Sequence, residues 1–351
     1  MPFNRPLIAP TASPLLEQAL RQKLQRRSET TGSLGELEPL AIRLGLMQNT
    51  LKPAFEDPQL VIFAADHGLA VDGAGASAAA GRTTEALVHA LLQRHLPVSV
   101  FAQIQGLGLS VVDSGIAEPV APHARLLARK IAHGTRNARA GPAMSQDQAH
   151  AAVRAGMEIA ESLPGNVFAC AGIGIGSHES AALVLARLTG ADLGGLLGAA
   201  PSGRNEQLEH LRVVLQHAQN RHKDVIDPLA VMAAFGGFEM AMMVGLMLVA
   251  ASDRHLIVVD GMPACAALMV ASRIAPAVTD YCVHCRSHSH TGLDEALALF
   301  NTAALLELGI ESIDGTGATL AWPLVRSAAA LLTEVADGEE PGPTLPGALA
   351  P

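Results

Sequence analysis

The chain predicts an α/β fold built on a parallel sheet, and three observations carry that expectation. Short, mostly apolar runs ending in Gly or Asp recur at QLVIFAADHG, LSVVDSG, NVFACAG and HLIVVDG. Stretches of helical character separate them, which is the rhythm of a parallel sheet with crossover helices. At 351 residues, 49% hydrophobic and 16% charged, the chain has enough apolar side chains for a large core.

The elements follow in order. Ser13-Pro14 reads as an N-cap with proline at N1, and Leu15, Leu16, Leu20 and Leu24 then recur at helical spacing. A second helix is expected over Leu34 to Met47. From Leu60 the apolar runs begin, and the sheet is expected within residues 60–310. Ligands of such sheets bind beyond the carboxyl ends of the strands, which draws Asp66, His67, Asp113, Gly172 and Asp260 to one rim. The run Met240 to Ala251 reads as a buried helix, since a bilayer span needs about 20 apolar residues. Leu320 to Ala336 is a helix with no strand after it, free to return to the N-terminal helices. The tail DGEEPGPTLPGALAP, residues 337–351, is rich in Pro and Gly and is expected to be disordered.

Composition also excludes function classes. A formal charge of −9 and a pI near 5.8 leave no broad basic field for nucleic acid or an anionic membrane. MPFNRPLIAP lacks the features of a secretory signal, and four cysteines are too few for a disulfide scaffold, so cytoplasm is expected.

Four stretches carry candidate chemistry. In CAGIGIGSHES, residues 170–180, Gly172, Gly174 and Gly176 let the backbone approach a ligand, and Ser177 is placed to cap the following helix, whose NH groups favour an anion. The spacing is G-x-G-x-G rather than the dinucleotide pattern, and Asp192 is the one acidic candidate for a ribose partner. In HGTRNARAGPAMSQDQ, Arg136 offers a forked cation, and Ser145 with Gln148 forms a capping box. At the end of FAADHG, Asp66 is placed to orient His67. DYCVHCRSHSH gathers Cys282, Cys285, His288 and His290, so metal binding stays open as an alternative function, beside strand-end cysteines and surface histidines.

Read together, GSLGELEPLAIRL from Gly32, FAADHGLA from Phe63, GTRN and PAMSQDQA from Gly134, LTGAD from Leu188, DPLAVMAAFGGFEMA from Asp227, VVDG from Val258 and DGTGATLAWPLV from Asp314 resemble, in order, the nicotinate-nucleotide:dimethylbenzimidazole phosphoribosyltransferase family. The resemblance implies a Rossmann-like sheet domain over 60–310, a small helical domain from 1–59 and 311–336, and a homodimer. It also implies transfer of ribose 5-phosphate from nicotinate mononucleotide to dimethylbenzimidazole or a related aromatic base, with no cofactor. Asp314 falls on the family's catalytic glutamate, one methylene shorter. Asp66, His67, Ser77, Gly81, Arg136, Gly174, Gly176, Ser177, Asp260, Gly261, Ser287 and Gly315 become the expected substrate-binding residues.

The chain departs from the family at Gly172, where a glutamate is usual, at Gly198 to Ser202, where a glycine loop loses two glycines and an arginine, and in Cys285 to Leu293, which lacks a glutamate. A base-pocket segment becomes Ser77-Ala78-Ala79-Ala80-Gly81. A diverged member that binds nucleotide or base without efficient transfer is therefore a second reading. Asp314 itself has two: a base, or an Asx-type turn holding Gly315-Thr316-Gly317.

Overall fold

The computed structural model describes residues 3–4, 6–75, 83–198 and 205–335, the side chains of 27–31, 205 and 207 excepted. Ser77, Gly81, the segment 199–202 and the tail 337–351 lie outside the described residues.

Six strands form one sheet: β1 (Gln59–Ala65), β2 (Gly108–Gly115), β3 (Leu126–Ala128), β4 (Val167–Ile173), β5 (Leu256–Asp260) and β6 (Cys282–Cys285). Their order is β3-β2-β1-β4-β5-β6, with every pairing parallel. This is the doubly wound, Rossmann-like arrangement, and the strand order reverses between β1 and β4. Both of those strands are buried at every position. Burial on two faces explains why they read as continuous apolar runs rather than alternating ones. Ala64 pairs with Ile173, Ala171 with Asp260, and Asp260 with Cys285, so the residues after β1, β4, β5 and β6 emerge on one rim. The four long strands match the four apolar runs. β3 and β6, three and four residues long, were not among them because such short segments carry no periodicity.

The helix Phe238–Ser252 is buried from Phe238 through Ala251, as its unbroken apolar run requires. It crosses the helix Gln146–Ser162, which opens on the expected capping box of Ser145 and Gln148. The crossing depends on two glycines. A Cβ on Gly156 would lie 1.8 Å from Met242 O, and one on Gly245 would lie 1.9 Å from Val153 O. Gly156→Ala is therefore expected to destabilise the protein although alanine is the better helix former. The propensity gain is about 1 kcal/mol, whereas forcing backbone apart in a packed interior costs roughly 1–3 kcal/mol or more. Urea unfolding of the variant reads the sign directly.

The contacts divide the described residues into two compact units, those up to 10 with those within 56–322, and those of 11–55 with 323–335. In the second, the helices Pro14–Thr31 and Leu37–Met47 pack together, and the turn Leu331–Val335 contacts both. Leu20 and Leu24 are buried there, but Leu15 is 83% exposed. Leu15 lies in the first turn, on the side of the helix turned away from these contacts.

Candidate active site

The rim above β1 and β4 is shaped by a close backbone approach. A Cβ on Gly174 would lie 1.7 Å from Ala65 O, so only glycine lets the chain leave β4 along this path. Gly176, at φ +84°, then starts the helix Ser177–Thr189 as its N-cap. Ser177 is thus not the cap expected from the sequence. Its N–H donates to Gly174 O at 3.2 Å, and its Oγ donates to Glu239 Oε1 at 2.8 Å.

The same Glu239 oxygen lies 2.8 Å from His67 Nε2, and both side chains are buried. The expected Asp66–His67 pair is therefore corrected: His67 is held by Glu239. Adjacent residues of an extended chain point to opposite sides, and Asp66 points elsewhere, accepting from Thr84 Oγ1 and from the Ala117 N–H at 2.7 Å. Burial draws the His67 pKa down. The Glu239 carboxylate, with smaller help from Asp66 and Glu179, more than offsets this and leaves it raised. Glu179, buried in the first helical turn, accepts from the Gly75 N–H at 2.8 Å, and desolvation raises its pKa. The Ile175 N–H is taken by Thr84 Oγ1 at 3.2 Å. Of the loop's donors, those of Ile175 and Ser177 are thus engaged within the protein. Arg136 is exposed on its neighbouring loop, where its Nε donates to Pro142 O at 3.0 Å. Asp192 caps the helix Leu193–Leu197 through the Gly195 N–H.

A second constellation forms where β5 and β6 end. Asp260 is completely buried. Its Oδ2 accepts from Ser287 Oγ at 2.8 Å, from the Gly315 N–H at 3.0 Å and from the Ala318 N–H at 2.8 Å. Ser287 Oγ in turn accepts from the Gly317 N–H at 2.8 Å. Gly261, at φ +93°, leaves the space that the Asp314 carboxyl occupies, since a Cβ there would sit 2.1 Å from that group. Asp314 Oδ1 lies 2.8 Å from His288 Nε2. Asp260, Gly261, Ser287, Asp314 and Gly315 are thereby brought together. The Asx-type role of Asp314 is not what holds the turn, because the Thr316 N–H such a turn would use donates to Ile313 O at 3.2 Å, and the Gly315 and Gly317 amides go to Asp260 and Ser287.

Two buried carboxyls side by side cannot both ionise cheaply. Desolvation, and then the charge of Asp260, push the Asp314 pKa well above the carboxylate range. Desolvation also raises Asp260, but three donors and nearby His288 work against it. Of the two, Asp314 is driven harder toward its neutral form, while Asp260 keeps the donors that favour its charge, a division of labour suited to general acid–base chemistry.

The Cys282 to His290 segment does not form a metal centre. Cys282 and Cys285 lie three apart on β6 and so face opposite sides of the sheet. Both are buried, Cys282 Sγ points at Val278 O, and burial raises the Cys285 thiol. Among the described residues no group of His, Cys, Asp and Glu is arranged to hold a metal ion. His290 instead caps the helix Thr291–Ala298 through the Gly292 N–H and stacks edge-on against His178, their ring centroids 4.3 Å apart. Burial, and then His290 and His288, pull the His178 pKa down to about 3.

At Gly172 the glutamate usual in the resembling family has no room, since a Cβ there would already lie 2.6 Å from Pro263 Cβ and 3.0 Å from Met243 Cε. Sequence reasoning missed Glu239 and Glu179, and singled out His288 only as a candidate metal ligand. The first had a readable signal: a carboxylate heading a wholly apolar helix is seldom buried unless paired.

A family model described as Phosphoribosyltransferase matches residues 9–342. The nicotinate-nucleotide–dimethylbenzimidazole phosphoribosyltransferase of Cupriavidus taiwanensis is 42% identical over 92% of this chain and 95% of its own length. The enzyme of that name from Variovorax paradoxus is 39% identical over 95% and 96%. The crystal structure of that enzyme from Thermus thermophilus superposes with a TM-score of 0.82 at 30% identity, covering 92% of this chain and 96% of the other.

Proposed function

The chain belongs to the nicotinate-nucleotide–dimethylbenzimidazole phosphoribosyltransferase family, and on that premise we propose how its own residues perform the transfer. It is a pentosyltransferase that moves ribose 5-phosphate from nicotinate mononucleotide to dimethylbenzimidazole or a related aromatic base. A ring nitrogen of the base attacks C1′ of the ribose, nicotinate leaves with the bonding pair, and the azole gives up its other N–H proton. The observation that carries the residue assignment is the buried Asp314 carboxyl beside Asp260 on the rim of the sheet. Asp314 receives the azole proton, while Asp260 and Ser287 fix the Gly315 to Ala318 backbone beneath it. The 5′-phosphate is assigned to the backbone of Gly174 to Ser177, at the positive end of the helix that begins there. Asp66 and His67 buttress that loop, and Arg136 is the nearest-loop cation for an anionic substrate. The reading carries with it a homodimer working in the cytoplasm. No helix of the described residues is long and apolar enough to cross a membrane.

The test is turnover. Incubation with nicotinate mononucleotide and a panel of benzimidazoles, purines and phenols is expected to release nicotinate and give a ribotide of at least one benzimidazole, identified by mass spectrometry. Absence of product from every acceptor, with nucleotide binding retained, would replace transfer by binding alone. Crystals soaked with nicotinate mononucleotide should show phosphate density at Gly174 to Ser177, and density in another cleft moves that assignment.

A further inference from the structure

Resting on Asp314 as the group that meets the azole, we propose that His288, 2.8 Å from it, is a positioning residue that completes the proton acceptor by relaying through Asp314 the proton that leaves the base.

The geometry is built for such a relay. His288 pairs with Glu311 in an isolated antiparallel bridge, the Ser312 N–H donates to Ser287 O at 2.9 Å, and the Ser289 N–H donates to Glu311 Oε1 at 3.2 Å. These contacts lock residues 287–289 against 311–312, two residues before Asp314. The imidazole Nε2 is thereby set 2.8 Å from Asp314 Oδ1. The Asp314 side chain is 9% exposed and that of His288 is 24% exposed, so the pair runs from the buried carboxyl outward. Its outer end borders a cavity of about 210 Å³ lined by Arg286, His288, Ser289, Glu307, Leu308 and Ile310.

A lone neutral carboxylic acid is a poor acceptor, because adding a proton to it creates a charged acid in a buried site. With His288 attached the balance changes. As the azole nitrogen bonds to C1′ and the C1′ bond to nicotinate breaks, the azole N–H proton passes to Asp314 Oδ2. The proton on Oδ1 passes at the same time to His288 Nε2. Asp314 ends as it began, neutral, and the imidazolium loses its proton to water. The net products are the ribotide, nicotinate and one proton.

Burial is the largest influence on His288 and leaves its pKa lowered, with Asp260 and Glu311 working upward and Arg286 downward. Arg286 is itself engaged by Asp294 at 2.6 Å and Glu307 at 2.9 Å. His290 lies 6.4 Å away between ring centroids, and its own pKa is lowered, first by burial. His288 is therefore neutral and able to accept above its lowered pKa. Activity should fall as the pH drops through that value, below the ordinary histidine range.

The experiment compares wild type, His288→Ala and His288→Gln with nicotinate mononucleotide and dimethylbenzimidazole, following kcat and KM across pH 5 to 9. His288→Ala is expected to lose on the order of 100-fold in kcat, the low end of what positioned proton transfer contributes. Its KM for the nucleotide should be little changed, and added imidazole should restore part of the rate. His288→Gln keeps a hydrogen bond to Asp314 but cannot take a proton. It should fold as wild type does, be as slow as His288→Ala, and lack the acid limb of the profile. Wild-type rate in His288→Gln overturns the relay while leaving the transferase reading intact. So does a slow His288→Ala that imidazole does not restore and whose pH profile is unmoved. A wild type without turnover removes both.

Discussion

Asp314→Asn is expected to cut transfer by on the order of 100- to 10,000-fold, the range that a positioned acid or base supplies, in a protein that folds normally. Folding survives because burial already favours the neutral form of Asp314, and an amide of the same shape adds no uncompensated charge. Asparagine is as good as aspartate at holding an Asx-type turn. A turn-forming role would therefore persist in the variant, and a loss of rate reports chemistry alone. The amide oxygen cannot pass a proton on, so the path to His288 is cut in the same step. Nucleotide affinity, read by calorimetry, should stay within a few-fold of wild type because no phosphate contact is assigned to Asp314. Undiminished kcat in a well-folded Asp314→Asn protein would remove Asp314 from the mechanism.

The sheet was legible in the sequence because a strand buried on both faces must be apolar throughout, and β1, β2, β4 and β5 each end in, or are followed at once by, the Gly or Asp that turns the chain over the rim. The rim residues followed from topology alone, which is why Asp66, His67, Asp113, Gly172 and Asp260 stood out before any contact was known. What could not be read was which partner each residue meets. Glu239 reaches His67 across 172 positions and Ser177 across 62. No local pattern encodes a meeting of that kind; it exists only once the helix Phe238–Ser252 is laid under the loop after β4. His288 is a similar case. It reads as one of several histidines in a row, and acquires a role only through the bridge that sets residue 288 beside 311. The metal reading failed for a local reason that the sequence did contain. Cysteines three apart form a chelating pair on a turn, but on a strand they diverge, and nothing in the four residues of β6 announces a strand strongly enough to decide.

Glu239→Leu is expected to lower stability by about 3–5 kcal/mol, the usual consequence of removing one partner of a buried ion pair. Glu239 is fully buried, and one of its oxygens takes both His67 Nε2 and Ser177 Oγ at 2.8 Å. Leucine would leave an imidazole and a hydroxyl buried without an acceptor, and apolar volume cannot offset two unmade hydrogen bonds. The loss should also depend on pH, with a definite sign. In the folded protein His67 has a raised pKa, so its pairing with Glu239 contributes fully below the unfolded histidine value of about 6.5 and is lost as the pH rises through the folded one. The gap between wild type and Glu239→Leu, measured by urea unfolding, should be widest near pH 6 and should narrow toward pH 9. Glu239→Gln separates the two contributions, because the amide still accepts from Ser177 but carries no charge for His67. It should remove most of the pH dependence at a smaller total cost. The loop from Gly174 to Ser177 hangs on the same oxygen, so the leucine variant should also bind nicotinate mononucleotide more weakly than Glu239→Gln does. If Glu239→Leu unfolds at the wild-type urea concentration at pH 6, the link from β1 through Glu239 to the helix start is not what holds this rim in place.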